Sequence, residues 1–180
     1  MHAEHLDERT STRILYWNIE AEKPEGELAV EYGRAAWKKD YDDPAHFDKM
    51  TLGKAWGLGE DPWTTLDMNV PLRIGGKDIP AGQYYLGLYR SAGGGTWSLK
   101  FLDPAKVPQG RLDGLEINEA AVEATIPINL EESGQVNELL TITLCHQRES
   151  LSNVTLKVMW GRLQLSALLQ CQLDKTDTQF

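Results

Sequence analysis

The sequence has few basic residues and no long apolar segment. It carries 18 lysines and arginines against 27 aspartates and glutamates, a net charge of −9 at pH 7, and the basic residues form no cluster. Nucleic acid is not expected as a partner, because binding a phosphate backbone needs a concentrated basic surface. No stretch reaches the roughly 18–20 consecutive apolar residues of a membrane-spanning helix, so we expect no membrane span.

Cysteine is scarce, and the N-terminal segment lacks an apolar region. Cys145 and Cys171 each lie in an apolar run, which favours two buried thiols over a disulfide or a redox pair. Residues 1–13 are charged and contain no hydrophobic region of a signal peptide. If Met1 is the native start, we expect a cytoplasmic protein, whereas a removed export signal would place it outside the cytoplasm.

What the sequence does contain is apolar alternation with a period of two residues, the spacing of half-buried strands. Residues 126–130 and 140–144 both show it, and the segment Glu131–Gln135 between them is predicted to be a hairpin turn. Two further strands are predicted on either side of Gly161. The dipeptide Gly75-Gly76 predicts another tight hairpin, because glycine tolerates the positive φ angles of such turns.

About ten short strands separated by turn residues predict an all-β, single-domain fold. We expect an antiparallel β-sandwich or a barrel-like fold with at most one or two short helices. Asp43-Pro44 has the residue types preferred at a helix N-cap and first position, which predicts a short helix over residues 44–52. Residues 1–13 are expected to be a disordered N-terminus, residues 14–174 the β-rich domain and residues 175–180 a tail.

Motifs that carry chemistry are sparse. The sequence has no Gly-x-Ser-x-Gly motif, and Cys145 and His146 are adjacent on a predicted strand, where their side chains point to opposite faces. The acidic segment Asp40–Asp48 offers oxygen ligands, but its spacing matches no calcium-binding loop and favours a solvated surface. No catalytic residue, metal site or cofactor is therefore assigned.

Aromatic residues are concentrated in one segment without a clear period. Trp37, Trp56 and Trp63 lie there with Tyr32 and Tyr41, among glycines and charged residues. Aromatic rings flanked by charged groups hold amphipathic ligands such as sugars, through stacking on the ring face and hydrogen bonds at its edge. The alternative is that these rings fold inward and close one end of the sandwich.

Three motifs within residues 30–89 resemble the domain-of-unknown-function family 2911. They are Tyr32-Gly33-Arg34, Gly53-Lys54-Ala55-Trp56 and a hairpin that ends in Pro80-Ala81-Gly82-Gln83-Tyr84. The resemblance implies a bacterial protein, often exported, and so a periplasmic or extracellular location. It implies no activity. Gly57 and Ala35 stand where the family usually has arginine and proline, so a polar pocket built around that arginine would be altered here.

The motifs and the aromatic segment together predict one binding site. We expect Tyr32, Arg34, Lys54, Trp56 and Glu60 to line a cleft at one end of the sandwich. Arg34 or Lys54 would hold an anionic or hydroxyl-rich group while Trp56 stacks on the ligand. In the alternative, Arg34 pairs with a carboxylate such as Glu60 and only fixes the loop.

The function predicted from the sequence is a non-catalytic β-sandwich module that binds a small molecule or a glycan. Two alternatives stay open. One is a hydrolase-like enzyme that depends on carboxylates, with or without calcium assistance. The other is a structural or protein-interaction domain. The sequence does not specify the oligomeric state.

Overall fold

Strands dominate the computed structural model, which describes residues 9–107 and 117–173. The described residues contain one α-helix, α1 (Pro44–Thr51), and three short 3-10 helices at Lys39–Asp42, Pro104–Lys106 and Glu119–Ala121. They also form ten strands. The strands are β1 (Arg9–Asn18), β2 (Lys23–Gly33), β3 (Lys54–Gly57), β4 (Glu60–Met68), β5 (Leu72–Ile74), β6 (Lys77–Ile79), β7 (Gly82–Arg90), β8 (Trp97–Leu102), β9 (Val122–Gln147) and β10 (Ser150–Cys171).

The described strands belong to one antiparallel sheet that stays open. Their order is β1-β2-β4-β7-β8-β9-β10-β5-β6, and β3 pairs with β7 beside this path. The 26-residue strand β9 pairs with β8 through its first residues and with β10 from Asn129 onward. Since the order ends at β1 and β6, the all-β antiparallel prediction is confirmed and its closed-barrel variant is not.

The sheet folds over at β9, and its two halves, the strands from β1 to β8 along the order above and the strands β10, β5 and β6, enclose one hydrophobic core. Leu28 on β2, Phe101 on β8 and Ile142 on β9 all belong to it and are at most 1% exposed. Hydrogen bonds also join the halves. The hydroxyl of Tyr32 accepts from the backbone N–H of Ile142 at 3.0 Å and donates to its carbonyl at 3.2 Å. The arrangement is therefore a sandwich made from one folded sheet.

Two local predictions are confirmed in detail. The side chain of Asp43 accepts a hydrogen bond from the N–H of Ala45 at 3.0 Å, which caps α1 with Pro44 as its first residue. This bond satisfies a backbone donor that the first helical turn leaves unpaired. Gly75 and Gly76 have φ angles of 56° and 78° and connect β5 to β6 in the predicted hairpin.

The predicted hairpin between residues 126–130 and 140–144 is wrong, because β9 runs through Glu131–Gln135 without turning. β10 pairs with both parts of β9, and the register between them shifts on each side of Gly161. Such shifts place extra residues on β9, which the pairing absorbs as bulges. A Ser-Gly pair suits a bulge as well as a turn, so the local sequence does not distinguish the two.

Two other expectations differ from the structure. β1 begins at Arg9, so residues 9–13 belong to a strand although the sequence predicted a disordered segment there. Residues 1–8 and the predicted tail at 175–180 lie outside the described residues. Cys145 is exposed and not buried, because it alternates with buried Leu144 and so faces the other side of β9.

Cys171 differs from Cys145 in burial and in its partner. It is 2% exposed, and the hydroxyl of Tyr16 donates to its Sγ at 3.1 Å. Burial raises the pKa of the Cys171 thiol, which reduces the reactive thiolate fraction at neutral pH.

We therefore expect a thiol reagent to label one site in the folded protein and two sites after denaturation. Cys145→Ser should abolish labelling of the folded protein, and the matched variant Cys171→Ser should leave it unchanged. A colorimetric thiol titration measures both. Rapid labelling of two thiols in the folded state would contradict the assigned burial.

Candidate functional site

A pocket with mostly apolar walls lies between the loop after β2, α1, β3 and β10. It has a volume of about 530 Å³, and we call it the outer pocket. Helix α1 forms one wall, β3 forms another, and Trp160 comes from β10. The residues that line it are Ala35, Ala36, Lys38, Tyr41, Phe47, Met50, Thr51, Lys54, Ala55, Trp56, Gly59, Glu60 and Trp160.

A smaller cavity of about 80 Å³, the inner chamber, adjoins the outer pocket. The two share Ala35, Trp56, Gly59 and Trp160 as lining residues. The chamber also has walls from both halves of the folded sheet, so it extends from the outer pocket into the sandwich. Its remaining lining residues are Gly57, Leu58, Leu88, Trp97, Leu140, Val158, Leu163 and Leu165.

An aromatic cluster of Trp37, Tyr41, Phe47 and Trp160 supports the outer pocket. Trp37 meets Trp160 and Tyr41 edge to face, with ring centroids 5.0 and 5.3 Å apart. The indole N–H of Trp37 donates to Asp42 at 3.1 Å, and that of Trp160 donates to the carbonyl of Ala35 at 3.0 Å. Because the rings contact one another in a preferred geometry, the wall is held in place without a ligand.

The charged residues at the outer pocket are Lys38, Lys54 and Glu60, all exposed. Lys54 donates to the carbonyl of Lys49 at 2.7 Å. The described lining therefore carries two cations and one anion, in a chain whose net charge is −9. Three neighbouring aspartates already have partners: Asp42 binds Trp37, Asp43 caps α1 and Asp48 pairs with Arg90.

The five residues predicted from the sequence do not all lie together. Lys54, Trp56 and Glu60 line the outer pocket. Tyr32 is 4% exposed and bonds to β9, as described above. Arg34 donates to the carbonyl of Leu140 at 3.3 Å and to the hydroxyl of Thr141 at 3.4 Å. No bond joins Arg34 to Glu60 within residues 9–107 and 117–173, and the binding role of the five residues stays a prediction.

Several lining residues were missed by sequence reasoning. Trp160 is far from Trp56 along the chain, and only the alternation of its strand marked it as facing inward. Neither Trp97 nor Phe47 was predicted from the sequence to line the site. These residues meet because the sheet folds over, which is a property of the whole chain and not of any local motif.

Metal coordination has no candidate cluster in the part of the chain that the structure describes. No group of three or more histidine, cysteine, aspartate and glutamate side chains is placed there to hold a metal ion. In the same residues, no helix is both long and apolar enough to cross a membrane.

The motifs quoted above belong to a match that covers most of the chain. The model of the family described as "Protein of unknown function (DUF2911)" matches residues 17–168 of the 180. The chain belongs to the DUF2911 family. Its match includes all described residues that line the outer pocket and the inner chamber. A search of curated proteins and a search of solved structures each found no match.

Arg90 fixes α1, and with it one wall of the outer pocket. Its guanidinium donates to Asp48 at 2.6 Å and to the hydroxyl of Thr51 at 2.9 Å, and it lies 5.6 Å from the ring centroids of both Phe47 and Trp97. The Arg90 side chain is only 16% exposed. Because Arg90 ends β7, these contacts tie the helix to the sheet.

We expect Arg90→Met to lower the free energy of unfolding by about 2 kcal/mol, since charge-assisted hydrogen bonds are lost from a mostly buried site. Chemical denaturation measures the change. Arg73→Met is the matched control, because Arg73 and its partner Asp78 are both more than half exposed and solvent screens such a pair. An equal effect of both substitutions would contradict the role of Arg90.

Gly161 packs closely against the indole ring of Trp37. Its φ angle is 58°, a left-handed conformation that favours glycine. A Cβ atom at this position would overlap the indole ring of Trp37. Both constraints occur where the register of β9 and β10 shifts.

Gly161→Ala should lower the free energy of unfolding by at least about 2 kcal/mol, from backbone strain and steric overlap together. In a Trp37→Ala background the overlap is absent, so the same substitution should cost less, about 1–2 kcal/mol. Gly134→Ala is the control, because Gly134 has open space around it. Equal costs of Gly161→Ala in the two backgrounds would refute the contact with Trp37.

Proposed function

We propose that this DUF2911 protein is a non-catalytic module that binds a small organic molecule in the outer pocket and the inner chamber. The observation that carries the proposal is the stepped cavity, which consists of the outer pocket and the smaller inner chamber next to it. Its aromatic and aliphatic walls end beside exposed charges. Small-molecule sites are concave, mostly apolar and have a few polar groups that orient the ligand, with volumes of about 300–1,000 Å³. The outer pocket, at about 530 Å³, is within this range.

Three of the five sequence-predicted residues take direct roles in this proposal. Trp56 stacks on the ligand, Lys54 attracts its negative end, and Glu60 accepts hydrogen bonds from it. Tyr32 and Arg34 hold β2 and the following residue against β9, because their polar atoms bond to residues 140–142. Trp160 forms the wall opposite β3.

A glycan is the less favoured ligand, for reasons of polarity. Sugars carry hydroxyl groups around most of the ring, and each buried hydroxyl needs a hydrogen-bond partner. The inner chamber is lined mainly by aliphatic side chains such as Leu88, Val158 and Leu165. A ligand with an apolar portion suits these walls better.

A carboxylate-dependent hydrolase receives less support from the pocket. Such enzymes place two carboxyl groups about 5–9.5 Å apart around the scissile bond. Glu60 is the one carboxylate among the described residues that line the two cavities. This alternative nevertheless has a distinct outcome in the experiment below.

The test is a thermal-melt panel on the purified protein with straight-chain and aromatic carboxylates, matched amines, saccharides, and calcium with and without chelator. A ligand at 100 times its dissociation constant adds about 2.7 kcal/mol, which raises the melting temperature by several degrees in a chain of this size. We expect carboxylates to give the largest shifts. Tryptophan fluorescence should also change, since Trp37, Trp56, Trp97 and Trp160 line or adjoin the cavities.

Matched lysine variants test whether the ligand binds in the outer pocket. Lys38→Gln should weaken carboxylate binding several-fold, because Lys38 lines the outer pocket. Lys39→Gln is the control and should leave binding unchanged, because it removes the same charge from the next residue, which does not line the pocket. Shifts with saccharides alone would favour the glycan alternative, and a calcium shift reversed by chelator would favour the hydrolase. A panel without shifts would overturn the proposal in favour of a protein-interaction or structural domain.

A further inference from the structure

We infer that the ligand is an organic anion with a slender apolar tail, and that the tail carries one hydrogen-bond acceptor for the indole N–H of Trp97. The inference rests on the proposed function, because it specifies the chemical class of the molecule that enters the stepped cavity. It depends on an unpaired donor, the size of the inner chamber and the charges at the outer pocket.

Trp97 has a buried donor that lacks an acceptor in the part of the chain that the structure describes. The residue is 2% exposed, and its Nε1 has no hydrogen-bond partner among residues 9–107 and 117–173. The comparable donors of Trp37 and Trp160 each have a partner, at 3.1 and 3.0 Å. Leaving a buried N–H unpaired is destabilising, so nearly all such groups in folded proteins find a partner in protein, water or ligand.

Trp97 is one of the residues that line the inner chamber, and the inference places the partner of its N–H there. A trapped water is a poor partner, because a buried water usually makes two to four hydrogen bonds. Most neighbouring side chains are aliphatic, and the carbonyl of Ala35 already accepts from Leu140 at 2.9 Å and from Trp160 at 3.0 Å. An ether or carbonyl oxygen on an apolar frame needs only the one bond that Trp97 offers.

The chamber size favours a chain over a ring. Apolar cavities of about 150 Å³ accommodate one benzene ring, whereas the inner chamber has about 80 Å³. A linear tail fits this space, and any wider part of the ligand would remain in the outer pocket between Trp56 and Trp160, which line both cavities.

The charges at the outer pocket favour an anion at the other end of the ligand. Lys38 and Lys54 exceed Glu60 by one charge there. The chain as a whole has a net charge of −9, so this local excess of one positive charge runs against the composition. An amphipathic anion whose charge lies in the outer pocket and whose tail lies in the inner chamber thus suits both cavities.

The experiment compares straight-chain carboxylates of increasing length with analogues in which one methylene is replaced by an ether oxygen. Calorimetric titration gives the affinity ratio of each ether to its parent. When the ether oxygen is near the end of the ligand farthest from its carboxylate, we expect this affinity ratio to be at least about fivefold higher in the wild type than in Trp97→Phe. That difference is the effect of one hydrogen bond. Trp63→Phe is the control, because Trp63 is also a buried tryptophan, 4% exposed, and lies outside the lining of both cavities, and its ratio should match the wild type.

If Trp97→Phe does not fold, the wild-type indole resonances replace it as the readout. The Trp97 N–H signal should move downfield with the far-end ether and not with the parent carboxylate. Equal ratios in wild type and Trp97→Phe, or equal shifts with both probes, would overturn the inference. Binding of saccharides or amines without carboxylates would overturn it and leave a small-molecule function, whereas a panel with no binding would overturn the proposed function itself.

Discussion

The shared strand β9 is the constraint on which the rest of the structure depends. It pairs with β8 through its first residues and with β10 through the remainder, so one strand belongs to both halves of the sheet. The sheet must then fold over at β9 to bury its inner faces in one core. The cross-layer bonds between Tyr32 and Ile142 form where β2 meets β9 after that folding. Two strands that share no ladder are thereby brought together.

The same strand explains where the cavities lie. The register between β9 and β10 shifts on both sides of Gly161, and Leu140, Trp160 and Leu163 are near these shifts. All three line the inner chamber. Bulges bend a strand and redirect its side chains, and they are frequent beside functional sites. An uninterrupted ladder would have packed the two layers evenly at this position, whereas the shifted one leaves a chamber that shares Trp56 and Trp160 with the outer pocket.

Local chemistry made some elements predictable and left others open. Asp43-Pro44 defines the start of α1 and Gly75-Gly76 the β5–β6 turn, because each depends on backbone geometry within a few residues. Glu131–Gln135 was misread as a turn, since the same residue types suit a bulge and only pairing with β10 decides between them. Of the residues that line the outer pocket, Lys54, Trp56 and Glu60 were predicted from one segment. Trp97 and Trp160 were not, because their position follows from how distant strands pack.

The aromatic residues reconcile the two interpretations that the sequence left open. Trp63 is 4% exposed and stacks on Tyr85 at 5.3 Å, as a core residue does. Trp37 and Trp160 are only partly buried, yet they meet edge to face. Rings that support one another lose little conformational freedom when a ligand arrives, and such preorganisation lowers the entropic cost of binding. The packing of the cluster therefore does not compete with the proposed binding role, because it keeps the pocket wall in place in the absence of a ligand.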